Sequence, residues 1–156
     1  MTPVRLLFVC THNGARSRIA EEFAKRAASG RVESHSAGLE SDRIGPLAIS
    51  VMGEVGIELP AAPPESVFER YKAQERFDYV ITLCDPASGE QAPIFLANVD
   101  ALYGETAQRV NWVVPNFRSL RGSDEEKKTG ARQIRDRIRT EVVTFLSGLR
   151  LDADRG

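Results

Sequence analysis

Residues 6–17 read LLFVCTHNGARS, and this stretch decides the fold. An apolar run ends at Cys10, a loop follows, and a helical pattern begins at Ser17. A strand, a loop and a helix in this order bring backbone N–H groups to a helix N-terminus, where they and the helix dipole favour an anion. The same field and the charge of Arg16 favour the thiolate form of Cys10. The stretch therefore predicts an anion site that contains its own nucleophile.

The C-x5-R-S spacing directly after a strand distinguishes this loop from other phosphate-binding loops. Neither the Gly-Lys-Ser/Thr ending of a Walker loop nor the glycine spacing of a Rossmann loop is present. A cysteine alone is often a packing residue, but this thiol lies where open parallel sheets bind ligands. The pattern indicates attack of sulfur on a tetrahedral oxyanion such as phosphate or arsenate. The residues predicted to bind the oxyanion are Thr11, His12, Asn13, Gly14, Ala15 and Arg16.

Length and composition are those of an ordinary globular protein. The 156 residues, 42% of them hydrophobic, fit a single domain over residues 1–150 with a polar tail at 151–156. The net charge of −1 does not indicate nucleic acid as a partner. No apolar stretch approaches the roughly 20 residues of a membrane helix, and no secretory signal is visible. Two cysteines are too few for a secreted disulfide scaffold, so we expect a cytoplasmic protein with reactive or redox-linked thiols.

Alternating strand and helix patterns predict the α/β class. Strands are predicted at 4–9, 32–37, 78–84 and 110–114, and helices at 17–28, 46–55, 67–73 and 125–149. They predict a three-layer sandwich with a central, mainly parallel four-stranded sheet and helices on both faces. The last helix carries a basic cluster, interpreted as its solvated face with a binding role as the alternative: Arg132, Arg135, Arg137 and Arg139.

Five segments carry a resemblance to a known family: FVCTHNGARS at 8–17, HSAG at 35–38, GPLAISVMGEVGIE at 45–58, FDYVITLCD at 77–85 and RQIRDRIR at 132–139. In these segments the chain resembles the low-molecular-weight protein tyrosine phosphatase superfamily, and within it the thiol-coupled arsenate reductases. The resemblance implies a phosphatase-type anion loop after the first strand. It makes Cys10 the nucleophile, Arg16 the oxyanion-binding arginine and Ser17 the hydroxyl that stabilises the thiolate. Asn13 would hold the loop in shape.

The resemblance also bears on cofactors. Some reductases of this family hold a potassium ion behind the loop, and Asn13, Glu21 and Ser36 match that site, with Glu65 in place of its last carboxylate. For Glu21 the alternative is a solvated helix face. No tightly bound cofactor is expected. If the protein is a reductase, the resemblance implies an external thiol reductant of the thioredoxin, glutaredoxin/glutathione or mycothiol type, and hence a thiol-redox partner.

The chain departs from the family at the general acid. Family members place an aspartate near residue 116, but here residues 112–117 read WVVPNF and put Asn116 at that position. An amide donates a hydrogen bond but gives up no proton at neutral pH. Asp124 or Glu125 is the alternative acid if the loop folds back. General acid catalysis is worth about 10²–10⁴-fold, so we expect slow reaction with poor leaving groups.

A second departure concerns the redox relay. Thioredoxin-coupled reductases use three cysteines, and Cys84 matches the middle one, but Gln91 occupies the last position. Cys84 is therefore either a resolving thiol or a buried structural one. The acidic, tyrosine-containing loop of the phosphatases is also replaced, by RSLR at 118–121, which weakens the phosphotyrosine interpretation.

Three functions remain open from the sequence. The first is an arsenate reductase in which Cys10 attacks arsenate and a second thiol releases arsenite. The second is a phosphatase acting on phosphotyrosine or a small phosphomonoester, through a phosphocysteine intermediate. The third is an oxyanion-binding protein without turnover, which Asn116 keeps open. His12 either tunes Cys10 or is a bystander, whereas His35 and Trp112 are interpreted as structural.

Overall fold

The fold is built on one parallel sheet. The computed structural model describes residues 2–11, 15–39, 43–62, 65–88 and 91–149. Within these ranges four strands pair in the order β2-β1-β3-β4, every neighbouring pair parallel. The strands are β1 Val4–Cys10, β2 Val32–Gly38, β3 Tyr79–Cys84 and β4 Gln108–Val113. The predicted class, α/β with a four-stranded sheet, is confirmed, and "mainly parallel" becomes entirely parallel for the described strands.

Five α-helices connect and cover the strands in the described ranges. They are α1 Ala15–Ala27, α2 Pro46–Gly53, α3 Val67–Lys72, α4 Ala92–Tyr103 and α5 Asp124–Gly148. Four of them match predicted helices within a few residues, whereas α4 was not predicted. The start of α5 is fixed by a capping box, in which the Ser123 hydroxyl accepts from Glu126 N and the Glu126 carboxylate accepts from Ser123 N. None of the described helices is both long and apolar enough to cross a bilayer.

The sheet separates two apolar layers. One layer packs α1, α2 and α5 on the face that carries Leu6, Phe8 and Cys10. The other packs α3 and α4 on the face that carries Leu7 and Val9. Strand β1 is apolar on both faces because it is central in the sheet, as a buried parallel strand requires. This arrangement is the predicted three-layer sandwich.

Helix α5 is held to α2 by part of the basic cluster. Arg135, only 9% exposed, donates from Nη1 to Val51 O at 2.9 Å and to Glu54 Oε1 at 3.0 Å. Arg132 donates from Nη2 to Glu54 Oε2 at 2.8 Å. The guanidinium of Arg139 lies 5.9 Å from the ring centroid of Phe23. The solvated-face interpretation is therefore wrong for Arg135, which closes the C-terminal turn of α2 instead.

The strand order places a crevice between β1 and β3. The chain passes from β1 to β2 on one side, and β3 pairs with β1 on the other side. Open α/β sheets bind ligands outside the carboxyl ends of the strands at such a switch point. Cys10 and Cys84 are the last residues of these two strands. The tail at 151–156 lies outside the described residues.

Candidate active site

The thiol of Cys10 lies at the junction of strand, loop and helix. Cys10 is fully buried, and its Sγ lies 3.3 Å from Ser17 Oγ in the first turn of α1. The Ser17 hydroxyl donates to the carbonyl oxygen of Ala37 at 3.1 Å. Because a hydroxyl has one proton, the thiol donates to Ser17 in this arrangement, and rotation of the hydroxyl would let it donate to a thiolate instead. Ser17 is therefore placed to serve both protonation states of Cys10.

Arg16 connects the loop to the end of β4. The guanidinium is 2% exposed and donates from Nη1 to Val114 O at 2.9 Å and from Nη2 to Thr11 Oγ1 at 3.1 Å. Neither acceptor carries a charge, so these bonds orient the cation without neutralising it. A buried guanidinium with a fixed fork is suited to hold two oxygens of an oxyanion.

The loop is described only at its two ends. Thr11 and Ala15 are buried, at 5% and 3% exposure. The other predicted oxyanion-binding residues, His12, Asn13 and Gly14, lie outside the described residues, and their predicted roles stay predictions. Helix α1 starts at Ala15, so its N-terminal N–H groups and dipole lie beside Cys10 and favour an anion there.

Asn116, which the resemblance places at the general-acid position, lies just beyond the Val114 carbonyl oxygen that accepts from Arg16. It follows Val114 by two residues and is 6% exposed. Its Oδ1 accepts from Arg118 N at 3.1 Å, which caps the short 3-10 helix Phe117–Ser119. The amide therefore has a structural role that an aspartate would also perform. The alternative acids Asp124 and Glu125 are exposed in the first turn of α5.

Cys84 lies near Cys10 on the neighbouring strand, but its side chain points to the other face of the sheet. Cys10 pairs with Leu83, so Cys84 is one residue beyond it on the neighbouring strand. The Cys10 side chain belongs to the apolar layer of α1, α2 and α5, whereas Cys84, 4% exposed, belongs to that of α3 and α4. The two thiols thus lie on opposite faces of the sheet.

The described residues of the predicted potassium site all carry polar contacts. Ser36 Oγ donates to Glu21 Oε1 at 2.5 Å, so the structure brings these two residues together. The Glu21 side chain is 12% exposed, and its Oε2 lies 2.8 Å from Lys25 Nζ. A fully solvated helix face is therefore the wrong interpretation for Glu21. Glu65 is 62% exposed, with Oε2 3.6 Å from Arg70 Nη1. Asn13 lies outside the described residues.

The two residues interpreted as structural have packing contacts. Trp112 is 8% exposed and packs against Phe8 and Phe145, with ring centroids 5.8 Å and 6.0 Å away. The ring of His35 meets Phe77 edge-on at 5.7 Å, and its Nε2 lies 3.5 Å from the Glu33 carboxylate. These contacts support the structural interpretation of Trp112, and the edge-on contact with Phe77 agrees with that of His35.

The backbone partners of the site were not predictable from the sequence. Arg16 and Ser17 are oriented by the carbonyl oxygens of Val114 and Ala37, and a main-chain acceptor leaves no residue-type signal. The role of Thr11 as an acceptor for Arg16 follows from the loop conformation alone. Arg70, which contacts Ser36 O, also gave no signal, because it stands in the charged segment 69–72 of a short helix.

A parallel sheet with a buried thiol at the end of its central strand, beside a helix N-terminus, defines a class of cysteine-nucleophile enzymes. The family model of the low molecular weight phosphotyrosine protein phosphatases matches residues 5–155. The chain belongs to this family, as the sequence predicted.

Similarity to characterised proteins points within the family to arsenate reductases. The chain is 29% identical to an arsenate reductase of Halalkalibacterium halodurans over 140 residues, which cover 90% of this chain and 93% of the relative. It is 41% identical to a glutaredoxin arsenate reductase of Synechocystis sp. over 80 residues, or 51% of this chain and 60% of the relative. A solved arsenate reductase in the phosphate binding state superposes with a TM-score of 0.64 at 28% identity, covering 93% of this chain and 98% of that one.

Proposed function

We propose that this protein is an arsenate reductase in which Cys10 is the nucleophile. The observation that carries the proposal is the convergence of Cys10, Ser17 and Arg16 on one loop. Arg16 and the N–H groups at the start of α1 would hold three oxygens of the tetrahedral anion. Ser17 would stabilise the thiolate that attacks it. The similarity to arsenate reductases over nearly the whole chain supports arsenate as the oxyanion.

The reaction requires two thiols for each arsenate. The Cys10 thiolate attacks arsenic, a sulfur–arsenic bond forms, and an arsenic–oxygen bond breaks with loss of water after protonation. A second thiolate then forms a disulfide with the attacking sulfur, and the electron pair of the sulfur–arsenic bond remains on arsenic. Arsenic is thereby reduced from As(V) to As(III), and two thiols are oxidised. Neither water nor arsenite is an alkoxide or phenoxide, so neither departure needs the general acid that a phosphomonoester leaving group needs. The presence of Asn116 in place of an acid fits this reaction.

The second thiol is either Cys84 or an external one. Because Cys84 faces the other side of the sheet, we propose an external thiol of the glutathione, mycothiol, glutaredoxin or thioredoxin type as the main reductant. A thiol-dependent reaction also fits a reducing compartment such as the cytoplasm. The similarity to a glutaredoxin arsenate reductase supports a thiol-redox partner.

A phosphatase is the second candidate, because the family model is that of phosphotyrosine phosphatases. The same loop would then hold the phosphate, and Cys10 would form a phosphocysteine that water hydrolyses. The Asn116 amide supplies no proton to the leaving group, so this activity would be confined to good leaving groups.

Turnover with defined reductants tests the proposal. Purified protein is given arsenate with glutathione plus glutaredoxin, with thioredoxin plus its reductase, or with mycothiol, and arsenite is quantified. A parallel sample receives an aryl phosphate, and Cys10→Ser is the control for both. Arsenite formation that depends on Cys10 is expected with at least one reductant. Phosphate release without arsenite would establish the phosphatase, and oxyanion binding without either product would establish a binding protein.

A further inference from the structure

Ser36 is the centre of a charged cluster between β2, α1 and α3. It is 1% exposed near the end of the edge strand β2. Its hydroxyl donates to Glu21 on α1, and its carbonyl oxygen accepts from Arg70 Nε on α3 at 3.0 Å. One residue thereby joins helices from opposite layers of the sandwich.

Arg70 is held on several sides. Its Nη1 donates to both carboxylate oxygens of Glu75, at 3.1 Å and 3.3 Å, and lies 3.6 Å from Glu65 Oε2. The side chain is only 13% exposed. A guanidinium thus lies between a strand carbonyl and two carboxylates, which are the kinds of oxygen that a hard cation would otherwise bind.

The residues present do not fit an additional potassium ion. Of the matching positions in the described ranges, the Ser36 carbonyl and the Glu65 carboxylate contact Arg70, while Glu21 contacts Lys25 at 2.8 Å and Arg18 at 3.6 Å. A potassium ion would compete with these donors for the same oxygens and would stand beside three positive side chains.

We propose that Arg70 is a built-in cation that replaces potassium in this chain and positions the active-site loop. The path to the site is short. Ser36 precedes Ala37, whose carbonyl oxygen accepts from the Ser17 hydroxyl beside Cys10. Gly38 is in register with Cys10, and its N–H donates to Glu65 O at 3.1 Å. Arg70 therefore fixes the end of β2 against α3 and, through Ala37, the orientation of Ser17.

Two measurements test this inference, which rests on the proposed role of Ser17 and Cys10. Thermal unfolding of the wild type is followed in KCl and in NaCl at equal ionic strength. The pH profile of Cys10 alkylation by iodoacetamide is followed by mass spectrometry of the Cys10 peptide. Both are repeated with Arg70→Met, with Arg70→Lys, and with Arg26→Met, which removes a surface ion pair to Glu22 on α1 as the matched control.

We expect the wild type to unfold at the same temperature in both salts. Arg70→Met should unfold about 2–4 °C lower. It should also move the midpoint of the alkylation profile up by about half a pH unit, which slows alkylation roughly threefold below the midpoint. Arg70→Lys should keep an alkylation profile close to that of the wild type. Arg26→Met should change neither the unfolding temperature nor the alkylation profile appreciably.

Specific stabilisation of the wild type by KCl over NaCl would overturn the inference, as would an unchanged alkylation profile in Arg70→Met. If Arg70→Met does not fold, the inference is tested by the wild type in the two salts and by Arg70→Lys. Stabilisation of Arg70→Lys specifically by KCl would also overturn the inference. Failure of the wild type to produce arsenite would remove the proposed function but leave the salt comparison intact.

Discussion

Cys10 and Cys84 end adjacent strands of one sheet but place their thiols on opposite faces. Cys10 pairs with Leu83, and Cys84 follows on the same strand. Adjacent strands lie about 4.8 Å apart and one residue adds about 3.3 Å along a strand, so the two Cα atoms are about 6 Å apart, within the range of a disulfide. The side chains nevertheless belong to different apolar layers, and thiols whose Cβ vectors point apart cannot be bridged without backbone movement.

This geometry predicts that Cys84 is dispensable when a small thiol is supplied. Cys84→Ser should produce arsenite within about twofold of the wild type in the presence of glutathione, whereas Cys10→Ser should produce none. Mass spectrometry of wild-type protein treated with arsenate alone should show little Cys10–Cys84 disulfide. A strong disulfide signal, together with loss of turnover in Cys84→Ser, would show that the end of β3 rearranges during the reaction.

Arg16 provides a second prediction, because its fork connects Val114 O to Thr11 Oγ1 in the structure. Lysine has a single ammonium group and cannot reproduce both bonds and still present a planar pair of donors. Arg16→Lys should therefore lose about 10²–10³-fold in kcat/KM, nearly as much as Arg16→Ala. Arg26→Lys, at an exposed position of the same helix, is the control and should keep wild-type rates. Near-normal turnover by Arg16→Lys would rule out the bidentate role.

The sequence predicted the features that depend on local pattern. The apolar run ending at Cys10 and the run ending at Cys84 are buried strands because their residues are apolar on both faces. The alternation of strands and helices then determined the layers. Helix α4 was missed because APIFLANVDALY is apolar on most sides, so its buried stripe does not stand out. Ile94 illustrates this, since it is 58% exposed on that helix.

Features that depend on register or backbone could not be predicted. The opposite orientation of the two thiols follows from the pairing of Cys10 with Leu83, and a shift of one residue would have put them on the same face. Arg135 was assigned to a solvated face because it belongs to a cluster of arginines at 132, 135, 137 and 139. It is buried because α2 ends beside it and offers Val51 O as an acceptor.

Asn116 gives a prediction about chemistry. Aspartate at this position can keep the cap bond from Arg118 N, and its other oxygen can carry a proton to a leaving group. Asn116→Asp should raise phosphomonoester hydrolysis by about tenfold or more for poor leaving groups and less for good ones. Kinetics with a series of aryl and alkyl phosphates measures this, with Asn98→Asp on α4 as the control. If Asn116→Asp and the wild type hydrolyse every substrate of the series at the same rate, the substitution adds no proton donor. The variants Asp124→Asn and Glu125→Gln would then be compared with the wild type.

Glu54 provides the last prediction, which concerns stability against acid. Its hydrogen bonds from Arg132, and then those from Arg135, lower the pKa of Glu54 from 4.5 to about 2. A carboxyl group whose pKa is lower in the folded state stabilises the fold above its unfolded pKa, and this contribution is lost as pH falls toward the folded value. Urea unfolding of the wild type should therefore show a free energy of unfolding that declines as the pH falls from about 4.5 to about 2. Protonation of Glu54 contributes to this decline. Glu54→Gln should be less stable at pH 7 and should show a shallower decline over that window. Glu58→Gln removes a nearby carboxyl group and is measured alongside as the matched comparison. Parallel curves for the wild type and Glu54→Gln would show that the contacts between α2 and α5 do not depend on the charge of Glu54.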